Sequence, residues 1–358
     1  MRGRSARWNL AALHPPRAHG APLPIAEFKS TPEDFRVEEE LSFAPSGEGS
    51  HWLLRVEKRG ANTRWVAAQI ARLGSAPIDD VGFGGLKDRQ AVAVQWFSVP
   101  ALGTGADYWN AIRTEEFRIL EVHANARKLK RGALSGNRFR IRLRKTAWSR
   151  DELDLKLAAL RQHGVPNYFG PQRFVREGYN LDQVALWIDS GRAPRSRAQR
   201  GFALSAARSL IFNAVLAHRV EAGDWANLEP GDLASLDGSG SHFSVSAIDD
   251  ELQRRLHSFD VHPSGPLWGR GEPRTQGRPY ECESAAAGEF RDVADLLAAE
   301  RLDQERRSLR CPVRELAMDA EAGTISLSFR LGRGQFATAV LREICELGSV
   351  AALDFDEE

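Results

Sequence analysis

The chain has 358 residues, of which 42% are apolar and 27% charged, with a formal net charge of +1. Such values are ordinary for a soluble globular protein of about two domains, and no apolar run is long enough to span a membrane. Cys282, Cys311 and Cys345 lie far apart and no histidines stand at paired ligand spacing, so a reducing cytoplasm is expected, and neither a disulfide framework nor a metal.

Residues 1–24 read as an irregular, Pro-containing lead-in, and its Arg-bearing start is followed by no apolar core or cleavage pattern, so no secretory signal is expected. Thr31-Pro32-Glu33-Asp34-Phe35-Arg36-Val37-Glu38 reads as a turn entering a short strand, and His51–Glu57 alternates through Trp52, Leu54 and Val56 as a second. Asn62 or Thr63 caps a helix carrying Trp65, Val66, Ile70 and Leu73, which ends at Gly74.

The chain is organised around Val81–Pro100. Ala91–Val99 is β-branched, aromatic and alternating, a strand, while Gly82, Gly84 and Gly85 predict a tight backbone turn before it. Between them lies Leu86-Lys87-Asp88-Arg89, one carboxylate flanked by two cations. A cation brought close keeps such a carboxylate ionised, and an ionised, positioned Asp serves as nucleophile or base without a metal. Taken alone, the same residues also describe a solvated turn with local ion pairs. The glycines fit neither a dinucleotide loop, which needs a third glycine, nor a phosphate-binding loop, which needs Ser or Thr after Lys87.

Beyond it, Phe117–Val122 is a strand and Asn137–Arg144 another, with Phe139, Ile141 and Leu143 on one face and Arg138, Arg140, Arg142 and Arg144 on the other. From Arg113 to Arg150 twelve cations face three glutamates, so a near-neutral chain carries a strongly basic region suited to a polyanion. Leu153, Leu157 and Leu160 stripe a helix that ends at Gly164, and a further helix opens at Ser205 and closes near Gly223. Glu229–Ser241 and His262–Pro279 read as loops and Ser284–Arg310 as mostly helical. The chain closes with a strand over Thr324–Arg330 and a helix over Gln335–Leu347. Strands at both ends around a more helical middle suggest one domain inserted into another.

Gly85-Leu86-Lys87-Asp88-Arg89-Gln90-Ala91-Val92 with Gln95-Trp96 resembles the nucleophile motif of the tRNA pseudouridine synthase D (TruD) family. Pro32–Phe35, Gly136–Phe139, Val165–Phe174, Leu204–Ser209 and Phe336–Glu343 match further family segments in the same order. The resemblance implies an α+β fold: a discontinuous catalytic domain (1–163 and 312–358) with a mixed, mainly antiparallel sheet, plus an inserted α/β domain at 164–311. It implies an isomerase that converts uridine to pseudouridine in tRNA, at position 13, with no cofactor; no obligatory protein partner is evident in the sequence. Asp88 matches the catalytic aspartate. Phe35, Asn137 and Phe336 match residues lining the target-base pocket, Phe139 an apolar neighbour beneath it, and Lys29 lies near its entrance. Lys128, Lys130, Arg131, Arg140 and Arg142 are expected to hold the RNA backbone. Val175-Arg176 and Leu331-Gly332-Arg333-Gly334 depart from the family pattern.

Overall fold

The computed structural model describes residues 2–130, 132–174, 178–321 and 323–349. The chain divides into two compact units. A sheet unit holds Leu23–Arg150, Val313–Gly334 and the chain from Cys345; a helical unit holds the chain up to Pro22, Asp151–Pro312 and Gln335–Ile344. The segment 164–311 thus falls inside the helical unit, which also takes in 1–22, 151–163 and 335–344.

The sheet unit is built on ten strands: β1 (Leu23–Phe28), β2 (Phe35–Leu41), β3 (His51–Arg59), β4 (Gly82–Phe83), β5 (Val92–Pro100), β6 (Phe117–Asn125), β7 (Leu134–Arg144), β8 (Arg314–Glu321), β9 (Thr324–Gly332) and β10 (Cys345–Ser349). They run in the order β8-β9-β7-β2-β5-β3-β6, with β4 beside β5 and β1 beside both β7 and β10. β2 with β5 and β1 with β10 pair parallel and the remaining pairs antiparallel, the mixed, mainly antiparallel sheet expected of this α+β chain. Central β5 is buried along nearly its whole length, which accounts for its mostly apolar sequence, broken only by the buried Gln95 and Ser98. The helix Thr63–Leu73 is capped by the Asn62 side chain, which accepts from the Arg64 amide at 2.7 Å. It buries Val66, Ala67, Ile70 and Ala71 against Leu54, Val56, Phe97 and Val99, and each fully buried Val or Ile contributes roughly 1.5–3 kcal/mol. Gly74 lets the helix end lie close on this layer: a Cβ there would stand 2.9 Å from Val99 and 3.1 Å from Trp109.

In β2, Phe35, Val37 and Glu39 share a buried face; in β7, Phe139, Ile141 and Leu143 do, while Arg138, Arg140 and Arg142 are exposed. The alternation read from the sequence is therefore the alternation of the sheet.

The helical unit is centred on the helix Arg197–Glu221, packed by Tyr179–Ser190, Gly277–Glu289 and Arg291–Ala299. A four-stranded antiparallel sheet, ordered His242–Ser244, Leu233–Leu236, Val261–Leu267, Glu305–Ser308, completes it.

Several expectations need correction. The lead-in is irregular only from His14 to Pro22: Arg2–Leu13 is a helix, whose Trp8 and Ala12 are buried among the helical unit's side chains. A stripe that narrow, set among arginines, gives little periodicity to read. The supposed loop Glu229–Ser241 contains a strand, as does His262–Pro279. In the latter, Pro263 still accepts a hydrogen bond from the Leu309 amide at 2.8 Å, and Pro266 lies beyond the part paired with Leu233–Leu236. Ser284–Arg310 is helical only as far as Ala299, and ends in the strands Glu305–Ser308 and Arg310–Cys311. The last helix stops at Ile344 because Cys345–Ser349 is drawn into β10 beside β1.

Asp34 closes the single turn before β2, its side chain wholly buried, and accepts from Arg144 Nε and Nη2 at 3.0 and 2.7 Å and from the Thr31 amide at 3.0 Å. Burial pushes this carboxyl up, but the Arg144 and Thr31 bonds outweigh it and hold it below the usual aspartate range. A group lowered on folding contributes stability in full above its unfolded value and loses it as pH falls through its folded value. The urea midpoint of the wild type should therefore drop on acidification below about pH 4. Asp34→Asn should lower the midpoint at pH 7 and flatten that acid dependence; an unchanged profile would sink the assignment.

Candidate active site

The segment between β4 and β5 carries Asp88, and the surrounding structure fixes it from four sides. Lys58 of β3, fully buried, donates to the carbonyls of Ala61 at 2.5 Å, Asp88 at 3.1 Å and Lys87 at 3.4 Å. A buried ammonium is costly unless its protons are used, so three carbonyls are held where this one cation needs them. Gln95 Nε2 binds the Gly85 carbonyl at 2.5 Å and Thr63 Oγ1 accepts from the Lys87 amide at 3.0 Å, while Thr63 also donates to Gln95 at 3.0 Å. Glu39, buried at its side chain, takes the Lys87 ammonium on one oxygen and the Trp96 amide, at 2.9 Å, on the other.

None of Gly82, Gly84 and Gly85 has positive φ, so they make no left-handed turn, and Gly82 and Gly84 serve close approach instead. A Cβ at Gly82 would stand 2.3 Å from the Leu129 carbonyl, and one at Gly84 would stand 2.7 Å from the Leu134 side chain.

The cation on Asp88 is neither of its neighbours. Lys87 pairs with Glu39, and Arg89 donates to the Gly60 carbonyl at 3.3 Å. Lys29, 59 residues earlier, forms the ion pair with Asp88 Oδ2, while Oδ1 accepts from the Gln90 amide at 3.0 Å. Lys29 follows β1 with φ of 59°, a left-handed conformation that costs a non-glycine residue roughly 1 kcal/mol or more. Its ammonium lies 4.5 Å from the Phe35 ring centroid and 5.3 Å from that of Phe28, so two rings and a carboxylate hold it there. Asp88 keeps 29% of its side chain exposed against 5% for Lys29: the acid is reachable and its counter-ion is not.

Phe35 continues the site. Its ring lies 5.9 Å from Phe139, which stacks on Phe329 at 5.4 Å. Asn137 stands opposite Glu39 in the β2–β7 register, on the face that carries Phe139 and Phe35. Its Oδ1 is buried and has no hydrogen-bond partner among the described residues, an acceptor left for something the protein itself does not supply.

The other expected residues belong to other parts of the chain. Phe336 belongs to the helical unit, where it packs partly buried against that unit's core. Arg140 and Arg142 project from β7 on the face opposite Asn137 and Phe139. On that face Arg138 meets Glu40 and Glu315, and Arg144 meets Asp34, whereas Arg140 and Arg142 have no carboxylate partner among the described residues. Lys128 donates to the Asp79 carbonyl, Lys130 is exposed, and Arg131 lies outside the described residues. The supports Lys58, Thr63, Gln95 and Glu39 escaped the sequence reading. Two of them left a signal: period two puts Glu39 with Phe35 and Val37, and Lys58 with Leu54 and Val56, on apolar faces where a charge needs a partner.

The model of the family described as tRNA pseudouridine synthase D (TruD) matches residues 24–193 and 196–344. The tRNA pseudouridine synthase D of Nitrosococcus oceani is 45% identical over 90% of this chain and 91% of its own length. That of Methylococcus capsulatus is 44% identical over 92% and 94%. A TruD crystal structure from Methanosarcina mazei superposes with a TM-score of 0.71 over 93% of this chain and 96% of its own, at 20% identity, a likeness of fold. By sequence along nearly all its length, the chain belongs to the tRNA pseudouridine synthase D (TruD) family.

Proposed function

We propose that this chain isomerises uridine to pseudouridine in tRNA, at position 13 as the family resemblance implies, with Asp88 as its nucleophile or base. The observation that carries the reading is the half-open Asp88 carboxylate, paired to buried Lys29 above Phe35, on a unit that also presents the unanswered Oδ1 of Asn137. Relatives 39–45% identical over about nine-tenths or more of this chain, each named tRNA pseudouridine synthase D, support it.

A uridine in a folded tRNA has to leave its stack before its glycosidic bond can be exchanged, and a flipped base is held by stacking and by its hydrogen-bonding edge. Phe35 offers a ring and Asn137 an acceptor for the uracil imide; the stacking role of Phe336 rests on the resemblance alone. Asp88 then attacks carbon 1 of the ribose or the base, or removes a ribose proton to give a glycal. The freed uracil turns and rejoins through carbon 5. Phe139 holds no proton acceptor, so Asp88 or a water takes the carbon-5 proton. The same atoms enter and leave, so the exchange is redox-neutral and consumes no second substrate. Lys29 keeps the carboxylate aimed and balanced in charge through these steps.

Asp88→Asn should reduce pseudouridine formation by at least about 10²–10⁴-fold while tRNA binding persists. Activity that survives in Asp88→Asn would end the assignment. Lys29→Met should cost about 10²-fold in kcat through loss of aim, with Lys29→Arg recovering part of it; full activity in Lys29→Met would show that the ion pair is incidental.

Lys128, Lys130, Arg140 and Arg142 are assigned to the RNA backbone, Arg140 and Arg142 because no protein carboxylate among the described residues answers them. The double variant Arg140→Ala/Arg142→Ala should weaken tRNA binding and make the dependence of log Kd on log salt shallower by about one per lost phosphate contact. A wild-type slope would remove that face of the sheet from the RNA surface.

A further inference from the structure

Within the helical unit one guanidinium is held rigidly and left half unused. Arg173 closes a short turn, its amide donating to the Gly170 carbonyl at 2.9 Å. Its Nη1 donates to Ser205 Oγ at 2.9 Å, and its guanidinium carbon lies 5.0 Å from the centroid of the Phe169 ring. That ring is itself immobilised, because the Asn213 side chain binds both the amide and the carbonyl of Phe169, at 2.9 and 3.0 Å. The remaining edge of Arg173 is different. Nε is buried with no hydrogen-bond partner, and Nη2 makes no hydrogen bond among the described residues. No carboxylate there forms an ion pair with it, and burial is what lowers its pKa. Arg307 lies 4.2 Å over the same ring, and its Nη2 donates to Asn167 Oδ1 at 2.6 Å.

Nε and Nη2 form the side of a guanidinium that presents two parallel N–H groups, the spacing that two oxygens of a phosphate accept. Beside Gly170 of the same turn, the Thr338 hydroxyl is also buried and without a partner among the described residues. A Cβ at Gly170 would stand 3.2 Å from that hydroxyl, so glycine keeps the space beside it clear. A buried Nε with no acceptor is a standing cost, and buried polar groups in folded proteins are otherwise nearly always satisfied.

We infer that the Nε–Nη2 edge of Arg173, with the Thr338 hydroxyl beside the same turn, is a phosphate-binding position for the RNA backbone. The identity of that ligand rests on the proposed tRNA function. Arg173 is thereby a substrate-positioning residue: it grips one phosphodiester and takes no part in bond exchange.

The test is equilibrium binding of labelled tRNA transcript to the full chain between 50 and 200 mM salt, for the wild type, Arg173→Met, Arg173→Lys and Thr338→Val. Arg173→Met should bind about 10- to 100-fold more weakly, with the log Kd–log salt slope shallower by about one. Arg173→Lys keeps the charge and loses the fork, so its slope should stay near the wild type while its affinity falls. Thr338→Val should weaken binding without changing the slope. A folded Arg173→Met protein with the wild-type slope overturns the inference. If Arg173→Met does not fold, Arg173→Lys binding as tightly as wild type does so instead. Failure of the enzymatic reading would show separately, as wild-type protein forming no pseudouridine in saturating tRNA.

Discussion

The candidate site depends on one buried ammonium. Lys58 reaches from β3 through the interior of the sheet unit and uses its protons on the carbonyls of Ala61, Lys87 and Asp88. An amine in that position without acceptors would cost several kcal/mol, so the peptide around Asp88 is held against it with comparable force. A loop fixed through its backbone leaves its side chains free for other work. Lys87 goes inward to Glu39, and Asp88 stays partly exposed with its second oxygen on the Gln90 amide. Preorganisation of this kind is what a carboxylate needs to meet a reacting carbon without first having to be ordered.

The second constraint is the two-residue period of β2 and β7. It separates two kinds of chemistry by the thickness of one sheet. On one face lie Phe35, Phe139, Glu39 and Asn137, dry enough that an unpaired amide oxygen is conspicuous; on the other run the arginines of β7. That arginine row holds together because acids of β2 and β8 answer Arg138, and Asp34 answers Arg144. The protein neutralises the ends of its own basic row and leaves the middle to solvent or to a polyanion.

The helical unit satisfies its buried charge by a different route. Arg219, at the end of the helix Arg197–Glu221, places all three nitrogens on Asp224, Asp232 and nearby carbonyls, so its charge is fully used inside the protein. Arg173, half-buried, has a serine and an aromatic ring and, among the described residues, no acid. The contrast between the two guanidiniums, one saturated and one half open, distinguishes a structural arginine from one kept for a ligand.

Much was legible in the order of residues alone. The alternation in Asn137–Arg144 assigned each side chain its face, because the strand period admits no other arrangement once Phe139, Ile141 and Leu143 seek the core. The motif around Asp88, with five further segments in order, was enough to place the chain in its family. The helix Arg2–Leu13 and the proline-bearing strand Val261–Leu267 were hidden, since each owes its form to what it packs against rather than to its own propensities. The cation on Asp88 was the deepest of these omissions. Reading along the chain, Lys87 and Arg89 are the neighbours, yet each finds its own acceptor away from Asp88. Only the closure of the sheet unit carries Lys29, 59 residues distant in sequence, over Phe35 and onto that carboxylate. Sequence determined which groups were available and which face each would take; tertiary structure decided which charges meet, because electrostatic pairing acts through distance in space and not through position in the chain.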